Sequence, residues 1–251
     1  MYKELSHYYD FIFPAGESQL KFFRQTFDDL GVSRVLDLGC GSGNYPLEFA
    51  KWGLTVVGLD YEQEMIRLAR EKARKAGVSV DFMTGDMRNL EDIDGKFDAI
   101  ICIGNSLPHL LTDKDLTTAL KQMKEKLYHG GILIIQTVNY DRILKGNITQ
   151  LPDIINRQAN IIFTRHYDFR PDGLIDFKTT LIKNQPNGSQ QSLGNAQVPL
   201  RPLTRSVLEN FLEDVGFEDT EVYGDFNRKT HGRDSQSTVL QTFRRRSCKL
   251  G

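Results

Sequence analysis

The sequence predicts an α/β fold: a doubly wound, seven-stranded, mostly parallel sheet with an antiparallel β cap inserted after strand five. Three observations carry this expectation. A short apolar run, Val35-Leu36-Asp37-Leu38, breaks into Gly39, Gly41 and Gly43 and then opens a helical pattern, which reads as a strand, a tight loop and a helix start. Apolar runs and helical patterns alternate through five units up to Val138, the rhythm of parallel-sheet proteins. Beyond Val138 the rhythm changes to β-rich arms separated by turn signals, before one more helix and two more β-rich runs.

In chain order, Glu17 to Leu30 places Leu20, Phe23, Phe27 and Leu30 at helical spacing, with Gly31 positioned as the stop. The stretch ahead of it, His7 to Pro14, is rich in aromatics without a clear period. After the first strand a short helix runs to Trp52 and Gly53, and Leu54 to Leu59 forms strand two. Glu62 to Ala76 is helical, with Met65, Ile66, Ala69 and Ala73 inward. Val78, Val80 and Phe82 alternate as strand three, and Phe97 to Ile103 is nearly continuously apolar, as a strand buried on both faces should be. Leu116, Ala119, Leu120, Met123 and Leu127 mark the next helix, Gly130-Gly131 a turn and Ile132 to Thr137 strand five.

The β-rich segment that follows has two arms, Asn160 to Asn184, around Pro171-Asp172-Gly173, and a second turn at Asn187-Gly188 before Gln197 to Leu203. It leaves from the carboxyl end of strand five, where ligands of open α/β sheets bind, and so reads as a lid over a substrate. Thr204 caps a helix carrying Val207, Leu208, Phe211, Leu212 and Val215, and Phe217 to Tyr223 and Ser237 to Phe243 supply the last two strands. The predicted organisation is one domain with an insertion: an N-terminal segment and cofactor core at 1–146, the cap at 147–200, and the last helix and closing β-hairpin at 201–251. Because the cofactor site is built from strands one to four, removing the cap is predicted to spare cofactor binding.

The 251 residues carry a net charge of −1 with charges spread throughout, which argues against a surface dedicated to nucleic acid or to an anionic membrane. The basic run Arg244-Arg245-Arg246 reads as a solvated strand end. Cys40, Cys102 and Cys248 are far apart and show no metal-ligand spacing, so no metal is expected and a reduced, cytoplasmic compartment is. Met1 to Ser18 lacks a continuous apolar stretch, and no segment approaches the ~18 apolar residues of a membrane span. The expected partner is a small molecule, with neither nucleic acid nor membrane.

What the loop holds is indicated by the acids around it: Asp37 before the first glycine, Asp60 at the end of strand two, and Asp86 after strand three. No Lys or Arg occurs from Val35 to Phe49, so no local cation is offered to a phosphate. The glycine spacing is G-x-G-x-G, and Asn44 stands where the dinucleotide fingerprint G-x-G-x-x-G has its third glycine. A carboxylate ahead of the loop suits an ammonium group, and one at the end of strand two can take two ribose hydroxyls. A nucleoside carrying an amino acid fits both. An NAD-dependent oxidoreductase is the rival enzyme class, disfavoured by Asn44 and the late strand pair; a non-catalytic nucleotide-binding protein is the rival outside enzymes.

Asp37 to Gly43 resembles motif I of the class I S-adenosylmethionine-dependent methyltransferases, with its E/D-x-G-x-G-x-G core, all four fixed positions matching. The resemblance implies a Rossmann-like methyltransferase fold, S-adenosyl-L-methionine as cofactor and S-adenosyl-L-homocysteine as product. It implies that Gly39, Gly41 and Gly43 line the methionine part, that Asp37 lies near its amino group, that Asp60 holds the ribose and that Asp86 faces the adenine amino group. Cys40, Tyr61, Met65 and Met87 complete the implied cofactor set. An N-terminal tyrosine reaching the donor methyl group is Tyr9 by its distance from the first long helix.

Ile101-Cys102-Ile103-Gly104-Asn105-Ser106-Leu107-Pro108-His109-Leu110 is similar to the C-L-G-N-S-F-A-H-L segment of glycine N-methyltransferases, and Asn139-Tyr140-Asp141 to the end of that family's R-N-Y-D. Gly224-Asp225-Phe226 extends the likeness towards the tail. On this resemblance Ile103 and His109 contact the cofactor and Asn105 reaches the substrate, so Tyr9, Asn105 and His109 form the expected catalytic set. The arginine of R-N-Y-D, which in that family grips the glycine carboxylate, is Val138 here, and a valine cannot supply a bidentate charged contact. A small-molecule acceptor methylated on an amine nitrogen is therefore expected without glycine as the preferred acceptor, unless another basic residue, Arg201 or Arg165, takes over the clamp.

Overall fold

The computed structural model describes residues 2–245, with side chains from residue 6 onward; Arg246 and Cys248 lie outside the described residues. Seven strands form the main sheet: β1 (Arg34–Leu38), β2 (Thr55–Asp60), β3 (Asp81–Thr84), β4 (Phe97–Cys102), β5 (Leu127–Val138), β10 (Phe217–Tyr223) and β11 (Ser237–Arg244). Their order is β3-β2-β1-β4-β5-β11-β10. The first five are parallel, and β11 runs antiparallel to β5 and to β10. The direction of strand succession reverses between β1 and β4, which makes their carboxyl ends the switch point where open α/β sheets bind ligands.

Helices α2 (Glu17–Leu30), α3 (Asn44–Lys51), α4 (Gln63–Ala76), α5 (Asp113–Lys126) and α7 (Arg205–Val215) cover this sheet. On one face, Phe23 and Phe27 of α2 and Phe49 of α3 pack with Val35, Ile101 and Ile134. On the other, Leu116, Leu120 and Met123 of α5 and Leu208 and Leu212 of α7 pack with Leu36, Ile100 and Leu133. Burial on both faces is the reason β4 reads as an uninterrupted apolar run. Thr112 and Thr204 cap α5 and α7 with side-chain oxygens that accept from Asp115 and Val207 amides.

The cap is a second sheet of four antiparallel strands in sequential order: β6 (Gln150–Asn156), β7 (Ile161–Phe169), β8 (Ile175–Asn184) and β9 (Gln190–Leu200). The two predicted turns join β7 to β8 and β8 to β9, but β6 and the first seven residues of β9 were not foreseen. The first seven residues of β9 are mainly polar, and β6 contains Pro152 and a bulge, features of strands defined by pairing partners and not by their own pattern. A short helix, α6 (Tyr140–Lys145), capped by Asn139, leads into the cap.

Two further corrections concern local structure. The aperiodic aromatic stretch is part of helix α1 (Tyr2–Ile12). It shows no single stripe because Ile12 and Tyr8 pack against the cap while Tyr9 meets the glycine loop, so two faces are apolar. Gly130-Gly131 lies within β5, whose start at Leu127 already pairs with Phe97 of β4. Among the described residues no helix is long and apolar enough to cross a membrane.

Candidate active site

The loop after β1 is built on positive backbone angles, φ 76° at Gly39, 54° at Gly41 and 80° at Gly43, a region side chains rarely adopt. The amides of Gly39 and Cys40 both donate to the Leu59 carbonyl, at 2.8 and 3.0 Å, tying the loop to the end of β2. Asp60 then bridges two loops: its Oδ2 accepts from the Gly41 amide at 2.7 Å and its Oδ1 from the Glu62 amide at 2.9 Å. A side chain at Gly39 would meet Ser106 Oγ at 2.5 Å, and one at Gly41 would meet the Tyr9 hydroxyl at 2.8 Å. One at Gly43 would strike the Phe82 ring at 2.7 Å, so the third glycine lets α3 pack against β3.

Around this loop opens a cavity of about 480 Å³, within the range of small-molecule sites. Its wall brings together ten of the residues expected from the sequence: Tyr9, Gly39, Gly41, Asp60, Tyr61, Met65, Asp86, Met87, Asn105 and His109. Four others lie off the wall. Cys40 is buried with Leu47, Ile66 and Phe82, Gly43 sits at the start of α3, Ile103 is buried with Val35 and Ile101, and Asp37 is buried at 1% exposure. The wall also contains Leu59, Glu62, Gly85, Arg88, Gly104, Ser106 and Leu110, which the sequence analysis did not single out. Arg88 and Ser106 each stand within two residues of an expected site residue, which was the available signal.

Asn105 has φ 69°, a left-handed conformation that asparagine tolerates better than most residues. Its Nδ2 donates to the Tyr140 hydroxyl at 3.1 Å, and its Oδ1 accepts from the Val138 amide at 3.2 Å. The fully buried Tyr140 and the end of β5 thus hold the Asn105 amide in one orientation. His109 ends a 3-10 turn, Leu107–His109, and opens on the cavity; desolvation by the surrounding walls lowers its pKa below the usual imidazole value.

The carboxylates differ in their support. Burial raises the pKa of Asp37 well above the ordinary range, the neighbouring Asp60 raises it further, and its Oδ1 has no hydrogen-bond partner. Asp60 is raised by burial and drawn back by the amides of Glu62, Gly41 and Tyr61. Burial and Asp60 also push the Tyr9 hydroxyl upward, which keeps it protonated. Asp86 goes the other way, because Arg88 donates to both of its oxygens while also reaching Asp115 at 2.8 Å. The reach to Asp115 was not legible in the sequence.

A bare-backbone cradle, an orphaned carboxylate oxygen beneath it and a clamped carboxylate beside it suit a ligand that carries positive charge and a diol. The residues present therefore fit S-adenosylmethionine. Such a sheet, with this loop at its switch point, defines a class of α/β proteins that bind a cationic nucleoside at the strand ends.

Comparison with known proteins narrows the class. Residues 35–131 match the family described as Methyltransferase domain. The glycine/sarcosine N-methyltransferase of Halorhodospira halochloris is 32% identical over 213 residues, covering 84% of this chain and 75% of that protein. The glycine/sarcosine N-methyltransferase of Aphanothece halophytica is 30% identical, covering 87% of this chain and 79% of that protein. Among solved structures, an S-adenosylmethionine-dependent methyltransferase from Clostridium acetobutylicum superposes with a TM-score of 0.80 at 19% identity, over 96% of this chain and 98% of that one. The chain belongs to the class I S-adenosylmethionine-dependent methyltransferases, and it is an enzyme whose cofactor is S-adenosylmethionine.

Proposed function

We propose that this methyltransferase acts on the nitrogen of a small-molecule amine. The cofactor supplies a methyl group on a sulfonium, and transfer is an in-line displacement that needs alignment more than a strong base. The observation that carries the reading is the fixed amide of Asn105 on the cavity wall, held by Tyr140 and the Val138 amide where an amine can be oriented. The relatives named glycine/sarcosine N-methyltransferases support the same acceptor chemistry.

In this reading Asp60 holds the ribose with the lone pairs left after its two backbone contacts, and Asp37 offers its free oxygen to the ammonium of the methionine part. Gly39 and Gly41 lie under that part, while Asp86, partly neutralised by Arg88, accepts from the adenine amino group with its remaining capacity. Tyr61, Met65 and Met87 form the wall beside the base. Cys40, Gly43 and Ile103 act by shaping the loop and strand from behind. Tyr9 closes the donor side, and His109, neutral at ordinary pH, is placed to take the proton that the amine sheds. Residues 147–200 cover the acceptor side as a cap on a core formed by 1–146 and 201–251.

The test is a screen of primary and secondary amines and amino acids for S-adenosylhomocysteine release, with products identified by mass. Amine N-methylation is the expected result. Turnover confined to hydroxyl, thiol or carbon acceptors would overturn it.

A further inference from the structure

A second cavity, of about 240 Å³, shares no lining residue with the cofactor cavity. Three segments meet around it. Helix α6 brings Asp141, Arg142 and Lys145, the first residue of α7 is Arg205, and the loop between β10 and β11 brings His231 and Arg233. Four permanent cations therefore share this wall with one carboxylate.

The segments are joined by bonds that leave most of those charges unused. Asn139, which caps α6, donates from Nδ2 to the carbonyls of Gly232 and Ser235 at 3.1 and 3.0 Å, and its amide donates to the Gln236 carbonyl at 3.1 Å. Asp141 Oδ2 accepts from the Arg205 amide at 2.8 Å, which ties α6 to the start of α7. His231 Nε2 lies 2.9 Å from the hydroxyl of the buried Thr238 on β11. The wall's carboxylate is thus spent on a backbone amide, and Lys145 reaches its other oxygen only at 4.0 Å. Arg205 turns its guanidinium to Glu209 on its own helix. Arg142 and Arg233 form no ion pair among the described residues. The imidazole registers the excess of positive charge: burial lowers the His231 pKa, and Arg205 lowers it further against the pull of Asp141 and Glu209.

Converging cations repel one another unless an anion enters between them. One guanidinium fork satisfies a carboxylate, whereas a phosphoryl group has close to two charges and three oxygens, and can meet donors from several sides at once. The cavity is smaller than the ~300–1,000 Å³ of drug-sized ligand sites, so its ligand has few atoms. We propose that this cavity is a second ligand site, for a phosphoryl group held between Arg142 and Arg233, with Lys145 and Arg205 adding to the field. The group is phosphate itself or the monoester of a small molecule. The site stands independently of the amine reading, because none of its residues lines the cavity where the methyl group is transferred.

The experiment is calorimetry of the full chain with inorganic phosphate and with glycerol 3-phosphate, at constant ionic strength with chloride as the background anion. Saturable binding of at least one probe is expected; tighter binding of the ester assigns the site to a phosphorylated small molecule, and tighter binding of the free ion to phosphate. Arg142→Gln and Arg233→Gln should each weaken that binding about tenfold or more, the range of a charge-assisted hydrogen bond, and leave the affinity for S-adenosylhomocysteine as in the parent. Absence of saturable binding of both probes, or an affinity that survives either substitution, overturns the proposal. So does competition between the probe and S-adenosylhomocysteine, which would put the anion in the cofactor cavity. Should Arg142→Gln fail to fold, judged by its melting, Arg233→Gln on the exposed loop decides alone.

Discussion

Asp37 and Asp60 sit on either side of one glycine loop, and the fold treats them differently. Each oxygen of Asp60 accepts a backbone amide, whereas Asp37 keeps an orphaned oxygen in a buried site. A folded-state pKa raised above the unfolded value means that the folded chain holds the proton more tightly. Stability from Asp37 is then present below the ordinary carboxylate range and is lost as pH rises through it towards the raised value. Asp37→Asn is expected to stabilise the cofactor-free protein at pH 8 by about 1–3 kcal/mol, the scale of an unsatisfied buried polar group, and to weaken cofactor binding. Melting curves at pH 5 and pH 8, with and without S-adenosylhomocysteine, check both halves; an unchanged pH dependence would show that Asp37 finds another partner. Asp60→Ala should weaken cofactor binding by about 1.5–3 kcal/mol, because charge-assisted hydrogen bonds to the ribose are lost. Calorimetry reads this directly, and an unaltered affinity would place the ribose elsewhere.

At the scale of elements, α1 decides access to the loop. Asp10 accepts from Ser42 Oγ at 2.5 Å and pairs with Lys72 of α4 at 2.7 Å, while Asn44 donates to the Phe13 carbonyl at 2.8 Å. This latch holds Tyr9 against Gly41, so a ligand entering the cradle past α1 must lift it. Lys72→Met removes a partly exposed ion pair worth about 0.5–1 kcal/mol, which corresponds to roughly a two- to fivefold faster release of S-adenosylhomocysteine. Stopped-flow release measures it, and an unchanged rate would mean that the ligand leaves by another side.

Across the whole molecule the two sheets share one core. Leu151, Tyr167, Ile175 and Leu200 of the cap are buried in the same cluster as Tyr140, Ile143 and Leu208. Ile12 of α1 is seated on Ile161, Phe163 and Leu181. The expectation that the cap could be removed with cofactor binding spared overlooks this seat. Replacing residues 147–197 by a short linker should lower the melting temperature and reduce cofactor affinity together with acceptor turnover, because α1 and Tyr140 lose their cover. A truncated protein that binds S-adenosylhomocysteine as tightly as the parent would show that α1 holds its place through the Lys72 latch alone.

The succession of strands and helices from Glu17 to Val138, apart from the turn expected at Gly130-Gly131, the two cap turns and the glycine loop with its three acids were determined by the sequence itself. Each rests on short-range rules: apolar spacing, turn residues at fixed offsets and backbone angles that only glycine adopts readily. What the tertiary structure decided involves partners far apart in the chain. Helix α1 lacks a readable stripe because it is covered on two sides, and β6 exists because β7 pairs with it. Arg88, which binds the nearby Asp86, also reaches Asp115 on α5, and the glycine at position 43 is required by the ring of Phe82. Arg165 is an ordinary strand arginine in the sequence, and only the registry of the cap strands buries its Nε without a partner, since burial and pairing are properties of the assembled surface and not of any one segment.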